Sequence, residues 1–578
     1  MTRLFNDPAD FADEALAGFC DAHEIYVRQV PGGVVRRTRP GVPRVAVLAG
    51  GGSGHYPAFA GIVGAGFASG AVVGNIFTSP SAQQAYSVAK AADSGAGVIF
   101  TYGNYAGDVM NFAMASERLA AEGIGVENVI VTDDIASASA DEIDKRRGIA
   151  GDFIVFKVMG AAAEAGENLA EVVRVGRKAN DNTRTIGTAF QGCTFPGADD
   201  RLFSLEKGSM ALGLGIHGEP GLHDTVMPTA AALGAELVQR VLVETPEGVG
   251  TRIAVLLNGL GSSKLEELFV LWRTVAPLLR EAGYTLVAPE VGELVTSLDM
   301  AGVSLTVTWL DEELEPLWVA PAETPAFRRG YIAATTNAGA ADNADIEVQD
   351  APAESTEESR HFAQRCVAAL GVARSTLHDA ESMLGDLDAI AGDGDHGRGM
   401  VRGIDAAYSA AVYAVQRGGG AESTLAAAGD AWGDRAGGTS GVLWGAGLRA
   451  LGEALGNSDQ PSAEQMGAGV DAFSSRLLEL GKAEPGDKTM MDAIVPFAKT
   501  LNDGIRGGSS LIDAWISAAA VASQAAEATS SLRPKRGRAR PLAEKSLGTP
   551  DPGAISLGLI VTALGEHLVH YSTQEENL

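Results

Sequence analysis

The sequence predicts a two-part chain, an α/β half made of two α/β subdomains followed by an all-α half of about eight helices. Three observations carry this. Up to residue 335, short β-branched runs alternate with Ala-rich stretches, the pattern of strands buried on both faces by crossover helices. From 336 to 358 the composition turns to Ala, Asn, Asp, Glu, Pro and Ser with few large apolar residues, as in a linker. From 359 to 578 the chain is strand-poor, rich in Ala, Leu and Gly, and periodic as helices are. A length of 578 residues fits two to four domains rather than one core.

In the first half, strands are expected at Arg44–Leu48, Ala71–Phe77, Gly97–Thr101 and Val126–Thr132, in a largely parallel sheet whose ligands gather beyond the strand C-terminal ends. The first such loop holds Gly50, Gly51, Gly52, Ser53, Gly54, His55 and Tyr56. It is not a dinucleotide fingerprint: the glycine spacing is wrong and no acidic residue follows before Ala92 to hold a ribose. Its consecutive N–H groups can cradle an oxygen-rich ligand, with His55 at the rim, although a histidine beside a strand also serves structure. The second loop, Tyr102-Gly103-Asn104-Tyr105-Ala106-Gly107-Asp108, puts a carboxylate at a strand end, either as a base or as the cap of a helix from Val109. A second subdomain begins near Ile186, with strands at Arg252–Leu257 and Val303–Trp309 and a helix at 264–282. His217 lies between Ile216 and Gly218 in a glycine-rich stretch ending in a Pro-Gly turn, an exposed setting for an imidazole.

In the helical half, helices are expected near 359–384, 399–416, 423–433, 441–456, 463–481, 488–503, 509–529 and 554–570, and every polar glycine motif falls at a junction between them. The densest is Gly385–Gly397, where Asp386, Asp388, Asp393 and Asp395 fall within ten residues of glycine-rich turn. Short carboxylates converging on one point suit magnesium and the phosphates it carries; the plainer alternative is a solvated acidic turn. Helix N-termini at the other junctions offer N–H groups to phosphate. Gly481–Thr489 imitates a P-loop, but Asp487 stands where the lysine belongs.

The net charge of -29 argues against nucleic acid or an anionic membrane as partner. Three dispersed cysteines fit a reducing compartment. Acidic residues near the N-terminus and the lack of any run of eighteen apolar residues point to a cytoplasmic protein.

Taken together, Gly50–His55, Asn104–Asn111, Gly213–Gly221 and Thr296–Gly302, then Leu387-Asp388 with Gly392–Gly397, Gly437–Gly441, Gly486–Met490 and Asp551–Ala554, resemble the dihydroxyacetone kinase family in its single-chain ATP-dependent form. The resemblance covers essentially the whole chain. It implies a ketose-binding K domain over 1–335 and an ATP-binding L domain over 359–578, an eight-helix barrel. It further implies that Asp388, Asp393 and Asp395 hold two magnesium ions, and that His396, Gly438, Thr439, Ser440, Gly486, Arg538, Asp551 and Gly553 line the nucleotide. In the K domain it implies that His217 bonds the ketone covalently as a hemiaminal, that His55 hydrogen-bonds the substrate, that Asp108 takes the proton of the attacking hydroxyl, and that Gly52, Ser53, Tyr56 and Gly103 border the ketose. Its members suggest a homodimer.

Two positions depart from many members: Tyr56 stands in place of Glu, and Gly103 in place of Lys. Both are expected at the ketose pocket, one re-lining it and the other emptying it, which resembles the erythrulose kinase branch. Two other functions share these domains: a ketose sensor without catalysis, and a lyase that cyclises FAD.

Overall fold

A computed structural model of the chain describes residues 2–330, 354–390, 392, 394–535 and 543–575. The chain separates into two compact units, Met1–Asp345 and Ile346–Leu578. Most of the expected linker lies outside the described residues.

In the first unit, α1 (Phe11–Ala22) precedes a six-stranded sheet of β1 (Val27–Val30), β2 (Gly33–Arg36), β3 (Ala46–Ser53), β4 (Gly70–Ile76), β5 (Val98–Gly103) and β6 (Val126–Val131), in spatial order β1-β2-β4-β3-β5-β6. The pairs β3–β4, β3–β5 and β5–β6 are parallel, while β1 and β2 add an antiparallel edge. The helices α2 (Ala82–Ala92), α3 (Ala106–Ala121), α4 (Asp152–Ala165) and α5 (Leu169–Asp181) complete this subdomain.

The glycine run expected as a loop is instead the end of β3. A Cβ on Gly50 would lie 2.4 Å from the Phe112 ring, one on Gly51 2.5 Å from the Phe59 ring, and one on Gly52 2.6 Å from the Thr78 nitrogen. These glycines serve close packing of neighbours onto a central strand, so they extend the strand rather than end it.

The second subdomain is a seven-stranded sheet of β7 (Thr183–Gln191), β8 (Ser209–Leu212), β9 (His223–Val226), β10 (Arg252–Gly259), β11 (Thr285–Leu286), β12 (Glu290–Gly292) and β13 (Ala301–Leu310). Its long pairs, β10–β13 and β13–β7, are antiparallel. The helices α6 (Ala230–Val243) and α7 (Leu265–Glu281) cover an apolar layer of β10 and β13 side chains that includes Val255, Leu257, Leu305 and Trp309. Beyond α8 (Leu314–Val319), β14 (Ala322–Glu323) pairs with β15 (Arg328–Arg329). The two sheets meet where Asp134, just past β6, bridges to Thr185 of β7.

The second unit is helical: α9 (Glu357–Asp388), α10 (His396–Gln416), α11 (Ala421–Ala436), α12 (Gly438–Leu455), α13 (Ala463–Gly481), α14 (Met491–Arg506), α15 (Leu511–Ala528), the short α16 (Ala543–Ser546) and α17 (Pro552–Glu575). Consecutive long helices pack side by side, and α17 returns against α9 to close the ring. Side-chain caps set several starts: Thr356 for α9, Ser462 with Gln465 for α13, and Ser510 for α15. The interfaces use glycine. A Cβ on Gly429 would stand 2.5 Å from the Gly445 carbonyl, and one on Gly445 2.6 Å from that of Gly429, so α11 and α12 touch backbone to backbone. Residues Gly385–Asp388, expected in a turn, continue α9 to its last residue. The segment Pro552–His570 of α17 is long and apolar enough to cross a membrane, but it is used as a bundle helix: Ala554, Leu557, Ile560 and Val561 are buried, and the Trp515 indole donates to the Val561 carbonyl at 2.8 Å.

Close backbone approach also holds the first unit together. A Cβ on Gly160, in the middle of α4, would lie 2.0 Å from the Phe67 carbonyl. Gly160→Ala is expected to force α4 off this contact and destabilise the unit by about 1–3 kcal/mol, read as a lowered urea midpoint.

Candidate functional site

The two histidines singled out in the first unit meet, although 162 positions separate them. His55 follows β3 of the first sheet, and His217 follows β8 of the second. The His55 Nδ1 faces the Thr296 carbonyl at 2.8 Å, its Nε2 stands 3.0 Å from the His217 Nε2, and the His217 Nδ1 stands 3.0 Å from the Glu219 carboxylate. The segment around Thr296 fixes the first ring through backbone bonds: Thr296 N donates to the His55 carbonyl at 3.2 Å, and Leu298 N to that of Gly54 at 2.7 Å. The phenyl ring of Phe77 stacks on His55 with centroids 5.0 Å apart and meets His217 edge-on at 5.0 Å.

Proton counting defines the charge of this line. A carbonyl closes one end and a carboxylate the other, so three contacts need three protons, one more than two neutral imidazoles supply. Burial, and then the charge of His217, push His55 down to about 3. Burial by itself would raise the Glu219 carboxyl, but the charge and hydrogen bond of His217, with the Arg147 guanidinium, hold it well below the usual carboxylate range. Arg147 is paired to Asp134 at 2.7 Å and stands 3.8 Å from Glu219. A Cβ on Gly215 would fall 2.1 Å from the Glu219 carboxylate, which accounts for glycine there.

The carboxyl of Asp108 is buried in the first turn of α3, whose cap position is Tyr105, so Asp108 does not cap that helix. Burial raises its pKa to about 7 against a hydrogen bond from Ser79, and its Oδ1 has no hydrogen-bond partner in the protein. That is a base poised near neutrality. The Tyr105 ring meets His217 edge-on at 4.7 Å, which brings the second loop to the histidines.

The remaining pocket residues fare differently. The Ser53 hydroxyl is committed to the Gly74 carbonyl within β4 at 2.6 Å, and Gly52 packs on the Phe77–Thr78 backbone in the turn after β4. Tyr56 is 52 % exposed, and its ring lies 6.1 Å from that of Phe19, while the rings around His217 are His55, Phe77 and Tyr105. The expectation that Gly103 empties the pocket is overturned: a Cβ there would meet the Gly148 carbonyl at 2.9 Å and the Tyr105 ring at 3.1 Å, so the space is already filled.

In the second unit, the end of α9, the start of α10, the segment 486–492 and the start of α17 supply the carboxylates. The Asp395 N–H donates to the Asp388 carboxylate at 3.1 Å, and burial and then the Asp388 charge raise the Asp395 carboxyl. Asp551 accepts from the Ala554 N–H at 2.8 Å, capping α17, and is raised to about 7 by burial, then by Asp492 and Asp388, against Lys488. Asp395 is exposed and Asp388, Asp492 and Asp551 are half-buried, and among the described residues no three of His, Cys, Asp or Glu are gathered closely enough to hold a metal ion. Asp492 accepts from the Gly486 and Thr489 N–H groups and ties that segment. Gly438, at φ +61°, opens α12, with Thr439 and Ser440 in its first turn; the space above Gly438 and Gly486 is open, leaving backbone accessible to a ligand. His396 is buried, with Nε2 3.1 Å from the Ser556 hydroxyl, and Gly553 sits in the first turn of α17 beside Asp551. Asp393 and Arg538 lie outside the described residues.

Sequence reasoning passed over Glu219, Arg147, Phe77, Thr296 and Tyr105. Glu219, two residues beyond His217 in a Gly-Glu-Pro turn, and Tyr105, three before Asp108, carried a local signal. Thr296 opened one of the motifs named above without a role of its own, and Arg147 carried no signal.

With this geometry in hand, the chain matches the Dak1 domain over residues 17–326 and the DAK2 domain over residues 390–566. A fold that pairs a two-sheet α/β unit with a closed helical bundle, and carries both domains in one sequence, defines a class. The chain belongs to the dihydroxyacetone kinase family. It is 57% identical to the D-erythrulose kinase of Mycolicibacterium smegmatis over 100% of both chains. It is 53% identical to the L-erythrulose kinase of Pectobacterium atrosepticum, covering 98% of this chain and 96% of that one. The crystal structure of the dihydroxyacetone kinase from C. freundii in complex with AMP-PNP and Mg2+ aligns with TM-score 0.52 at 29% identity, over 98% of this chain and 99% of that chain.

Burial of Asp108 has a stability consequence. Its folded pKa, about 7, lies above the unfolded 3.8, so the folded state binds the extra proton and the charged group becomes a cost as pH rises through this window. Asp108→Asn should leave stability near wild type at pH 4 and exceed it above pH 7 by ~4 kcal/mol at most. Thermal denaturation across that range reads the divergence, and parallel curves would contradict it.

Proposed function

We propose that this protein is an ATP-dependent kinase of small ketoses, with erythrulose preferred over dihydroxyacetone. The observation that carries the reading is the His55–His217–Glu219 line, whose central proton can move between two facing Nε2 atoms. The full-length identity to proteins named erythrulose kinases supports the choice of ketose.

In this reading the ketone enters beside the two histidines. The His217 Nε2 passes its proton to the His55 Nε2, and the freed lone pair bonds the ketone carbon. The carbonyl π pair moves onto oxygen, and His55 returns the proton to that oxygen, giving a hemiaminal hydroxyl. Glu219 holds the Nδ1–H throughout and balances the charge left on the ring. Such a bond selects ketones over polyols, because only a carbonyl can form it. Asp108, ionised above about pH 7, takes the proton of the substrate hydroxyl that attacks phosphorus. Asp388, Asp393 and Asp395 would hold two magnesium ions, which neutralise charge on the ATP phosphates. Gly438, Thr439, Ser440 and Gly486 would offer N–H groups to those phosphates, and Arg538 a side chain. A homodimer completes the reading, checked by sedimentation equilibrium.

The deciding experiment supplies ATP and magnesium with D-erythrulose, L-erythrulose or dihydroxyacetone and follows ADP release. One erythrulose enantiomer is expected to exceed dihydroxyacetone in kcat/KM by ~10-fold or more. Equal or better use of the triose would overturn the substrate, and ketose binding without ATP consumption would favour a sensor. Below about pH 7, kcat/KM should fall as Asp108 protonates. Asp395→Asn should cost at least ~10²-fold in turnover while continuous density between His217 and a soaked ketose persists.

A further inference from the structure

From Arg28 to Arg44 the chain carries five arginines and no acidic residue, although its net charge is -29. Arg28 lies on β1, Arg36 ends β2, Arg37 and Arg39 follow it, and Arg44 stands just before β3. Glu164 of α4 answers two of them: it accepts from the Arg36 Nη1 at 2.7 Å, from Arg44, and from the Gly66 N–H at 3.1 Å. Among the described residues, Arg28, Arg37 and Arg39 pair with no carboxylate. Burial, and then the charges of Arg39 and Arg37, hold the Arg28 guanidinium below its ordinary pKa. One arginine on an edge strand discourages pairing with another sheet, which accounts for Arg28. It does not account for two more held against it, an arrangement that costs repulsion until an anion enters. A cavity of about 40 Å3 opens at the same place, lined by Arg36, Arg39, Arg44, Ser69, Ala91 and Ser94 among others. The Arg28 Nη2 donates to the Ala91 carbonyl at 3.4 Å, which puts its guanidinium at the rim. One water needs roughly 10–15 Å3, so the cavity has room for a small polyatomic group and not for a whole sugar.

Charge sets the class of ligand. Guanidinium forks match the oxygens of phosphate, and a phosphate monoester carries about -1.5 to -2 at pH 7, which suits three unanswered arginines better than a single carboxylate does. We propose that Arg28, Arg37 and Arg39 bind a phosphoryl group, either inorganic phosphate or the head of a small phosphate monoester, seated in the cavity before β3. The site is separate from the histidines, because Arg44 precedes β3 whereas His55 follows it at the other end of the strand. It is independent of the ketose kinase reading.

Calorimetric titration of the full chain with inorganic phosphate and with glycerol 3-phosphate, at low ionic strength and without nucleotide or magnesium, tests this. Arg39→Ala removes an exposed side chain from a connecting segment, so the fold is kept, and it should weaken the binding by ~10-fold or more. Arg28→Ala should do the same; should that variant fail to fold, the Arg39 variant still decides. Added salt should weaken the binding further, since the rim is open to solvent. Binding of both probes assigns the site to the phosphoryl head, and binding of inorganic phosphate alone assigns it to the free anion, each within the proposal. Phosphate binding that Arg39→Ala leaves unchanged would overturn it by placing the anion elsewhere, and acetate binding as tightly as phosphate would overturn it by leaving a diffuse basic edge. So would the absence of both a binding isotherm and a rise in melting temperature with phosphate.

Discussion

A buried proton between two imidazoles organises the first unit. The line from the Thr296 carbonyl through His55 and His217 to Glu219 needs three protons, one more than two neutral imidazoles supply. A buried charge is tolerated only when it is paired and hydrogen-bonded. Glu219 answers His217, Arg147 adds its charge to Glu219, and Asp134 pairs with Arg147. The members come from both sheets, so the charge line also serves as a register between them. The Asp134–Thr185 bridge lies at the same junction.

The second unit shows the opposite imbalance. Asp388 raises Asp395, Asp492 and Asp388 raise Asp551, and Lys488, whose Nζ donates to the Ser546 carbonyl at 2.6 Å, opposes the rise at Asp551. The helices that carry these groups are held by packing away from the junctions: the Trp432 and Trp444 rings stack 5.0 Å apart at 9°, and Gly429 meets Gly445. The bundle thus tolerates a repulsive end, much as active sites concentrate groups that the rest of a fold must stabilise.

Glycine links the first unit's architecture to its candidate site. Gly51 and Gly52 let Phe59 and the Phe77–Thr78 backbone lie directly on β3, and Phe77 in turn stacks on His55. Gly215 leaves room for the Glu219 carboxylate, and Gly103 for the Tyr105 ring. In each case the missing Cβ is occupied by a neighbour, so the glycine marks contact rather than slack.

The sequence by itself determined the division into an α/β half and a helical half, because hydrophobic periodicity is local and changes period after residue 335. It also singled out residue types capable of chemistry, since His55, Asp108, His217 and the aspartates at 386–395 stand in glycine-rich stretches. Only the tertiary structure decided which of them meet. That His55 and His217 share a proton follows from two sheets docking, and no spacing in the chain encodes a distance across 162 positions. The same holds for Arg147, which has no motif of its own and gains its place through Asp134 and Glu219. Gly103 shows the limit most plainly: its missing side chain reads as empty space in the sequence, yet the Tyr105 ring and the Gly148 carbonyl fill that space in the fold. Vacancy is a property of what packs against a residue, and that is set by long-range contacts rather than by the residue itself.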